Sequence, residues 1–285
     1  MKWKIILLTV IVVVGGGFGY FKLAADNTDD MYADHIPVAN DSQLAEETSA
    51  EVDEEIVEPV VEDTEDNDSG ALTLREFADN DFRIFYDQLL QPGLLPIENS
   101  PHIFGDDVAD ARIREIAESR GYKLRRSPSV ELASVDGYVV QAPLVQGWKD
   151  LKAAAASEGL SLSLVSAYRS VNTQRSLFTQ RLKATGATVS QVANGLADDK
   201  VNEVLVTSSI PGYSKHHTGY AVDLACAGYG FEGFKNSPCN AWLVANNYKV
   251  AKEHGFIPSY PPLADNQGPD PEAWEFVWVG VELLH

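Results

Sequence analysis

Residues 71–285 predict a mixed α+β fold, in which helices pack around a small and largely antiparallel sheet. Two observations indicate this class. Helical periodicity fills most of the first half of the region, and strand-like alternation appears in the later segments LSLSLVSAY, GYAVDLA and AWEFVWVGV. Separate runs of helices and strands are typical of α+β domains. The sequence shows no internal repeat.

Helical patterns account for most of the remaining elements. Apolar residues at helical spacing predict a first helix within 72–90, and PGLLPIENSP after it is typical of a loop. A second helix is expected through DDVADARIREIAESRG, where Gly121 can provide the C-cap. Strong helix formers extend from Trp148 to a stop at Gly159. Further helices are expected in NTQRSLFTQRLKATG, VSQVANGLADDKVNEVL and AWLVANNYKVAKEHG.

The first 25 residues predict a membrane-targeting segment. Two lysines precede an apolar run from Ile5 to Phe21, whose 17 residues are near the lower limit for a bilayer-spanning helix. An uncleaved signal anchor and a cleaved signal peptide both fit this pattern, and the anchor is the favoured interpretation. Either one sends the rest of the chain across a membrane, because the lysines come before the apolar run.

Residues 26–70 predict a disordered acidic stalk. The segment has 17 Asp and Glu residues and no Lys or Arg, so it carries most of the formal net charge of −20. Such a composition cannot bury enough apolar area to offset the entropy of ordering. Residues 71–285 are therefore the expected extracytoplasmic domain. They contain no basic patch, which argues against a nucleic-acid partner, and nothing in the sequence indicates an oligomer.

The two cysteines, Cys226 and Cys239, lie in the part predicted to be exported. An oxidising compartment favours a disulfide across AGYGFEGFKNSP, which would stabilise the fold by about 3 kcal/mol through the unfolded chain. Two free buried cysteines are the alternative. The chain has no CxxC motif, so a structural role is expected for both residues.

The segment SKHHTGYAVD holds the densest set of possible metal ligands in the chain. Gly219 allows a turn, and the alternation of the following strand places Ala221 and Asp223 on one face. His216 and Asp223 can therefore meet, and together they offer ligands typical of catalytic zinc. A polar turn before a buried strand is the alternative. His217 is not expected to bind metal, because adjacent side chains on extended backbone point apart.

Three motifs together match a known pattern. SxHxxGxAxD is complete in Ser214 to Asp223, SAYRSVNTQ lies upstream, and PEAWEFVWVG lies downstream. In these motifs the chain resembles the VanY-type D-alanyl-D-alanine carboxypeptidases, a branch of the LAS-type zinc peptidases that cut bacterial peptidoglycan peptides. The resemblance runs from about Trp148 to Gly280 and implies the LAS-type zinc peptidase fold.

The resemblance implies a catalytic centre with one zinc ion. His216 and Asp223 would be ligands of the zinc, and Glu272 would be the general base that activates the metal-bound water. Arg169 would stabilise the oxyanion of the transition state.

The resemblance also implies how the substrate would be held. Ser214 and Gln174 match positions that bind the substrate's backbone and terminal carboxylate. Two alternatives remain open, since Arg169 could pair with a structural carboxylate and Gln174 could face solvent from a helix.

One position departs from the family pattern. The family's last motif is ExxH, whose histidine is the third zinc ligand, but here the motif runs from Glu272 to Glu275. Because carboxylates also bind zinc, Glu275 is the expected third ligand. Such a site would be more anionic and harder, and it would accept other divalent ions.

Three hypotheses follow for the activity. The first is an active carboxypeptidase that trims D-alanine from peptidoglycan stem peptides, at a D,D or an L,D bond. The second is a metal-impaired pseudoenzyme that binds peptidoglycan, and the third is a structural surface protein. Retention of Glu272 favours the first, with a stem-peptide endopeptidase as the active alternative. The expected location is the bacterial cell surface or periplasm, tethered to the membrane or secreted after cleavage.

Overall fold

The computed structural model describes residues 73–97, 100–231 and 233–285 of the chain. The predicted anchor or signal peptide (1–25) and the predicted stalk (26–70) lie outside these ranges. Within the ranges, no helix is both long enough and apolar enough to cross a membrane.

Helices and strands follow one another irregularly along the described residues. The helices are α1 Asp79–Gln88, α2 Asp107–Ser119, α3 Leu144–Ser157, α4 Val171–Ala184, α5 Val189–Ala193, α6 Asp198–Leu205 and α7 Pro238–Glu253. The strands are β1 Leu94–Pro96, β2 Arg126–Pro128, β3 Ala133–Val135, β4 Tyr138–Val140, β5 Leu162–Ser166, β6 Ala221–Cys226, β7 Phe256–Tyr260 and β8 Glu272–Trp278. Single 3₁₀ turns cover Lys215–Thr218, Phe234–Asn236 and Val281–Leu283.

The main sheet has four strands in the order β5-β6-β8-β7, and each neighbouring pair is antiparallel. Two further antiparallel pairs, β1 with β2 and β3 with β4, form small separate sheets. The predicted α+β class with a largely antiparallel sheet is therefore confirmed. The central strands β6 and β8 carry the end of the SxHxxGxAxD motif and most of PEAWEFVWVG, while SAYRSVNTQ begins at the end of β5.

Strand β7 was not predicted from the sequence. Its sequence FIPSY has a proline in the middle, and a proline cannot donate a hydrogen bond to a neighbouring strand. The strand lies at the edge of the sheet, where it pairs only with β8, so the missing donor costs no ladder bond. The edge position therefore explains why a segment with an unfavourable sequence still forms a strand.

Three hydrophobic clusters hold the described domain together. The first lies between one face of the sheet and helices α3 and α7, and it includes Trp148, Leu224 and Phe276. The second joins α2, α4 and α6 through residues such as Ile113 and Phe178. The third joins α1 to the opposite face of the sheet, with Phe82, Tyr220, Ala221, Ile257 and Val277 among its members.

Two of the predicted helices need correction. The first helix covers Asp79–Gln88, which is shorter than the predicted range 72–90. Phe77 lies before this helix and stacks on Phe82, with ring centroids 4.7 Å apart. Helix α7 is interrupted, because Asn246, Asn247 and Tyr248 have positive φ. The Asn247 side chain bonds both the backbone N–H and the C=O of Phe77, which ties the interruption to the start of α1.

Cys226 and Cys239 form a disulfide in the structure. Cys226 ends β6, and Cys239 lies in the first turn of α7. The bond thus closes the loop between the strand with the proposed ligand Asp223 and the helix that packs behind the sheet.

Candidate metal centre

His216 lies in the 3₁₀ turn Lys215–Thr218 that leads into β6. The Ser214 side chain caps this turn, since its Oγ accepts from the backbone N–H of His216 at 3.3 Å. Gly219 ends the turn with φ of 73°, a left-handed conformation that glycine adopts without a Cβ penalty. The turn reverses the chain immediately before the strand and so fixes where the His216 ring lies.

Three buried side chains converge at one point. His216 Nε2 lies 3.4 Å from Asp223 Oδ2 and 3.3 Å from Glu275 Oε2. One possible ligand atom from each of the three residues lies within 4.8 Å of the other two. Asp223 on β6 is directly opposite Glu275 on β8, and directly opposed residues of an antiparallel pair have neighbouring side chains. The sheet register therefore brings the two carboxylates together.

The donor set fits a divalent cation. His216 Nδ1 lies 2.6 Å from the carbonyl oxygen of Ala167, so Nδ1–H donates there and Nε2 is the nitrogen that faces the two carboxylates. Asp223 Oδ1 is buried and has no hydrogen-bond partner among the described residues. Burial opposes protonation of His216, yet Asp223 and Glu275 outweigh it and raise its pKa to about 10. The surroundings thus favour positive charge at this point.

Both carboxylate oxygens of Glu275 have close partners. Its Oε1 accepts a hydrogen bond from Ser259 Oγ at 2.5 Å, while Oε2 faces His216. Burial alone would raise the pKa of Glu275, but His216, Lys215 and Ser259 stabilise its charged form and lower the pKa to about 2. Glu275 is therefore an ionised carboxylate inside the domain.

Lys215 and Ser259 were absent from the sequence-based site. Lys215 is buried, and its Nζ donates to the backbone carbonyl of Ser259 at 2.5 Å. Burial and the charge of Arg125 lower the pKa of Lys215 to about 7. Only one feature of the sequence pointed to Lys215, namely its place in SKHHTGYAVD, a motif that leads into a buried strand.

Glu272 lies at the start of β8, three residues before Glu275, and is half-buried. Burial raises the pKa of Glu272 well above its usual range, and the negative charges of Glu275 and Asp223 raise it further. A cation held by those two carboxylates would favour the ionised form of Glu272. Its proton affinity is thus coupled to the occupant of the neighbouring site.

Arg169 reaches the same region from the loop after β5. Its Nη1 donates to Gln174 Oε1 at 2.9 Å, its Nη2 donates to Ser166 Oγ at 3.2 Å, and its backbone N–H donates to the His216 carbonyl at 3.2 Å. None of the ion pairs among the described residues involves Arg169. The guanidinium is therefore held by neutral groups, and its charge is not cancelled by a paired carboxylate.

The alternative in which Gln174 faces solvent is wrong. Its side chain is fully buried, and Nε2 donates to the backbone carbonyl of Ser209 at 2.5 Å while Oε1 accepts from Arg169. Both ends of the amide thus bind protein groups. Because one of these groups is the Arg169 guanidinium, Gln174 fixes where that guanidinium lies.

His217 has both ring nitrogens engaged away from the candidate site. Nδ1–H donates to the Arg169 carbonyl at 2.6 Å, and Nε2 accepts from the backbone N–H of Gly212 at 3.0 Å. Burial lowers the pKa of His217 to about 4, which keeps the ring neutral. The sequence argument assumed extended backbone, but the residue lies in a 3₁₀ turn, so its exclusion as a ligand rests on these hydrogen bonds.

Comparison with known proteins gives one family. A family model described as VanY, D-alanyl-D-alanine carboxypeptidase, matches residues 138–281. The D-alanyl-D-alanine carboxypeptidase of Enterococcus faecalis is 31% identical over 138 residues, which are 47% of this chain and 46% of that protein. The chain spans less than half the length of the curated relatives it matches.

Solved structures with similarity to the chain include two peptidases. A mutant of the vancomycin resistance D,D-pentapeptidase VanY, in complex with Zn(II), is 27% identical with a TM-score of 0.40, and the match covers 54% of this chain and 80% of that one. The LD-carboxypeptidase LdcB is 26% identical with a TM-score of 0.42, and the match covers 55% of this chain and 68% of that one.

Proposed function

Because the chain belongs to the VanY family of D-alanyl-D-alanine carboxypeptidases, we propose that it is a zinc-dependent carboxypeptidase that removes D-alanine from peptidoglycan stem peptides. The observation that carries the proposal is the convergence of His216, Asp223 and Glu275 at one buried point, with Glu272 beside it. The proposed place of action is outside the cytoplasmic membrane, where stem peptides are found.

The three converging side chains would hold one zinc ion, with a further position open to water or substrate. Bound zinc would lower the pKa of a water molecule and polarise the scissile carbonyl. The unpartnered, buried Asp223 Oδ1 supports this assignment, and so does His216 Nε2, which faces the two carboxylates while Nδ1 is engaged by Ala167.

Glu272 is the proposed general base. Its carboxylate would take the proton of the attacking water and return it to the leaving amine, the role that a positioned carboxylate with a raised pKa performs well. Glu272 is half-buried at the start of β8, while the proposed ligand Glu275 is only 4% exposed.

Arg169 is the proposed oxyanion-stabilising group. The guanidinium has no carboxylate partner among the described ion pairs and is fixed by Gln174 and Ser166, so its charge remains available to a substrate oxygen. Gln174 then acts through Arg169. Ser214 stays the proposed contact for the substrate backbone, next to the turn that it caps.

A peptidoglycan-binding pseudoenzyme is the second candidate, favoured by a single observation. Glu275 occupies the position at which the family motif has a histidine. A second carboxylate ligand beside Asp223 would make the site harder and change its metal preference. The pseudoenzyme would keep the cleft but hold metal too weakly for hydrolysis.

Metal content and peptide hydrolysis separate the two candidates. The purified full chain is expected to hold one equivalent of zinc and to release D-alanine from a pentapeptide, a tetrapeptide or both, which also decides between the D,D and L,D bonds. Cleavage inside the stem would indicate the endopeptidase alternative. Removal of zinc by a chelator should abolish release, and added zinc should restore it.

The variant Glu275→His provides the decisive contrast. If the natural protein binds no stoichiometric metal and Glu275→His creates both binding and hydrolysis, the pseudoenzyme is correct. If the natural protein is already active, its activity should respond to manganese or cobalt differently from the variant, because one carboxylate ligand has been exchanged for an imidazole.

A further inference from the structure

The carboxylate of Glu275 has two different neighbours on its two oxygens. Oε1 accepts from Ser259 Oγ at 2.5 Å, and Oε2 lies 3.3 Å from His216 Nε2. Ser259 belongs to β7 and follows Pro258, which pairs with Phe276, so the two side chains are neighbours across adjacent strands. Both Ser259 and Glu275 are buried. A carboxylate held in this way presents one oxygen, and not two, toward His216 and Asp223.

The backbone carbonyl of Ser259 accepts a hydrogen bond from the buried lysine Lys215. Lys215 is only 2% exposed, and lysine is rarely this buried without a charged partner. Its Nζ donates to the Ser259 carbonyl at 2.5 Å and lies over the rings of Tyr260 and Tyr86, at 3.9 and 4.7 Å from their centroids.

The ion pairs of the described residues do not include Lys215. A buried amine without a paired carboxylate is costly to the fold. The amine stands immediately behind the residue that holds Glu275, so the chain Lys215, Ser259, Glu275 leads from the interior to the proposed metal point.

We propose that Ser259 and Lys215 are positioning residues that adapt this site to a carboxylate ligand, by holding Glu275 so that Oε2 alone faces the metal. Groups that hydrogen-bond a metal ligand orient it and tune its affinity for the metal. The Ser259 hydroxyl donates a charge-assisted hydrogen bond to Oε1 of the carboxylate. A neutral imidazole at position 275 would accept a weaker hydrogen bond. The inference rests on the proposed function, because it requires a metal ion at this point.

The first test is metal affinity, measured on the full chain by competition with a chelator of known zinc affinity. Ser259→Ala is expected to weaken zinc binding by roughly 10–100-fold, the usual effect of removing a group that supports a ligand. Lys215→Met is expected to weaken it as well. The two losses should be less than additive in the double variant, since both residues act through the same carboxylate.

The second test repeats Ser259→Ala in the Glu275→His background. There the loss is expected to shrink to less than about threefold, because the charged acceptor is gone. Visible absorption spectroscopy gives a second measurement for the same variants. In the cobalt-substituted protein, Ser259→Ala should change the visible absorption bands, since a released carboxylate can bind through two oxygens. Ser237→Ala is the matched control, because it removes an equally buried hydroxyl that caps α7 through Asn240.

The outcomes separate this inference from the function on which it rests. Suppose that the natural protein holds zinc, but that Ser259→Ala leaves the zinc affinity unchanged or lowers it equally in both backgrounds. That result would overturn the positioning role and leave the peptidase proposal standing. A natural protein that holds no metal would overturn both. The expected result has two parts. Ser259→Ala should lose less zinc affinity with histidine at position 275 than with glutamate. The cobalt absorption bands should change in Ser259→Ala and stay the same in Ser237→Ala.

Discussion

The two central strands, β6 and β8, contribute to the same buried point in different ways. On the β6 side, His216 is capped by its neighbour Ser214 and leads directly into the strand that carries Asp223. On the β8 side, Glu275 depends on Ser259 of β7, and Ser259 in turn is held by Lys215 from the turn before β6. The two proposed ligands of the β6 half thus lie in one short segment, although Ala167 and Arg169 also bond His216 from elsewhere in the chain. The proposed ligand of the β8 half takes its hydrogen bond from another strand.

If Glu275 is the third ligand, as we propose, this difference explains how the site can carry a carboxylate in place of a histidine and keep its geometry. The sheet register fixes where residue 275 lies relative to Asp223, whichever side chain it carries. What a new side chain requires is a new set of partners. The buried Ser259 hydroxyl is the kind of partner that a carboxylate needs, and the Lys215 amine bonds the backbone carbonyl of that serine.

The largest expected effect separates the two glutamates of β8. Glu272→Gln should lower kcat by about 10²–10⁴-fold with metal content unchanged, because it removes the proton acceptor and no ligand. Glu275→Gln is the matched variant three residues along, and it should lose metal together with activity. Zinc analysis beside steady-state kinetics measures both quantities. Loss of metal in Glu272→Gln would show that Glu272 is a ligand and would break the division of roles within β8.

The next effect sharpens the account of the β6 half, where the Arg169 backbone N–H bonds the His216 carbonyl and the Arg169 guanidinium bonds Gln174 and Ser166. Arg169→Met should lower kcat by about 10²–10³-fold and leave zinc affinity unchanged, as expected when one oxyanion-stabilising group is lost. Gln174→Met should cause a smaller fall in kcat, because Gln174 only orients the guanidinium. A rise in KM alone for Gln174→Met would instead place its amide on the terminal carboxylate of the substrate.

The same contrast explains which parts of the structure could be predicted from the sequence. Strand alternation in GYAVDLA was enough to bring His216 and Asp223 together, because both lie in one short segment. Lys215 and Ser259 were missed, since their pairing depends on which strand lies beside β8, and periodicity does not contain that information. Strand β7 was missed for a related reason: Pro258 is unfavourable in most strands and is tolerated here only by the edge position.

The smallest expected effect tests how far the remote support of the β8 half extends. Asp87 of α1 accepts from Lys123 Nζ at 2.7 Å and from Arg125 Nη1 at 3.0 Å, and Arg125 lies over the ring of Tyr86, which also faces Lys215. Burial would raise the pKa of Asp87, but Arg125 and Lys123 outweigh it and lower the pKa below 3.8. The folded state therefore gains stability from Asp87 above pH 3.8 and loses it as the pH falls through the lowered value.

Asp87→Asn is accordingly expected to destabilise the metal-free protein by about 1–3 kcal/mol at pH 7, the cost of removing a charged hydrogen-bond acceptor from the largely buried Arg125 and the exposed Lys123. The difference between the natural protein and the variant should shrink as the pH falls below 3.8, where Asp87 of the unfolded chain becomes protonated, and it should be lost once the folded carboxylate is protonated at its lowered pKa. Urea unfolding at pH 7 and at pH 3 measures both differences. Asp79→Asn, at the other end of the same helix, is the matched control. An equal destabilisation at the two pH values would show that Asp87 contributes through packing and not through its charge, and the support behind Lys215 would then end at the two tyrosine rings.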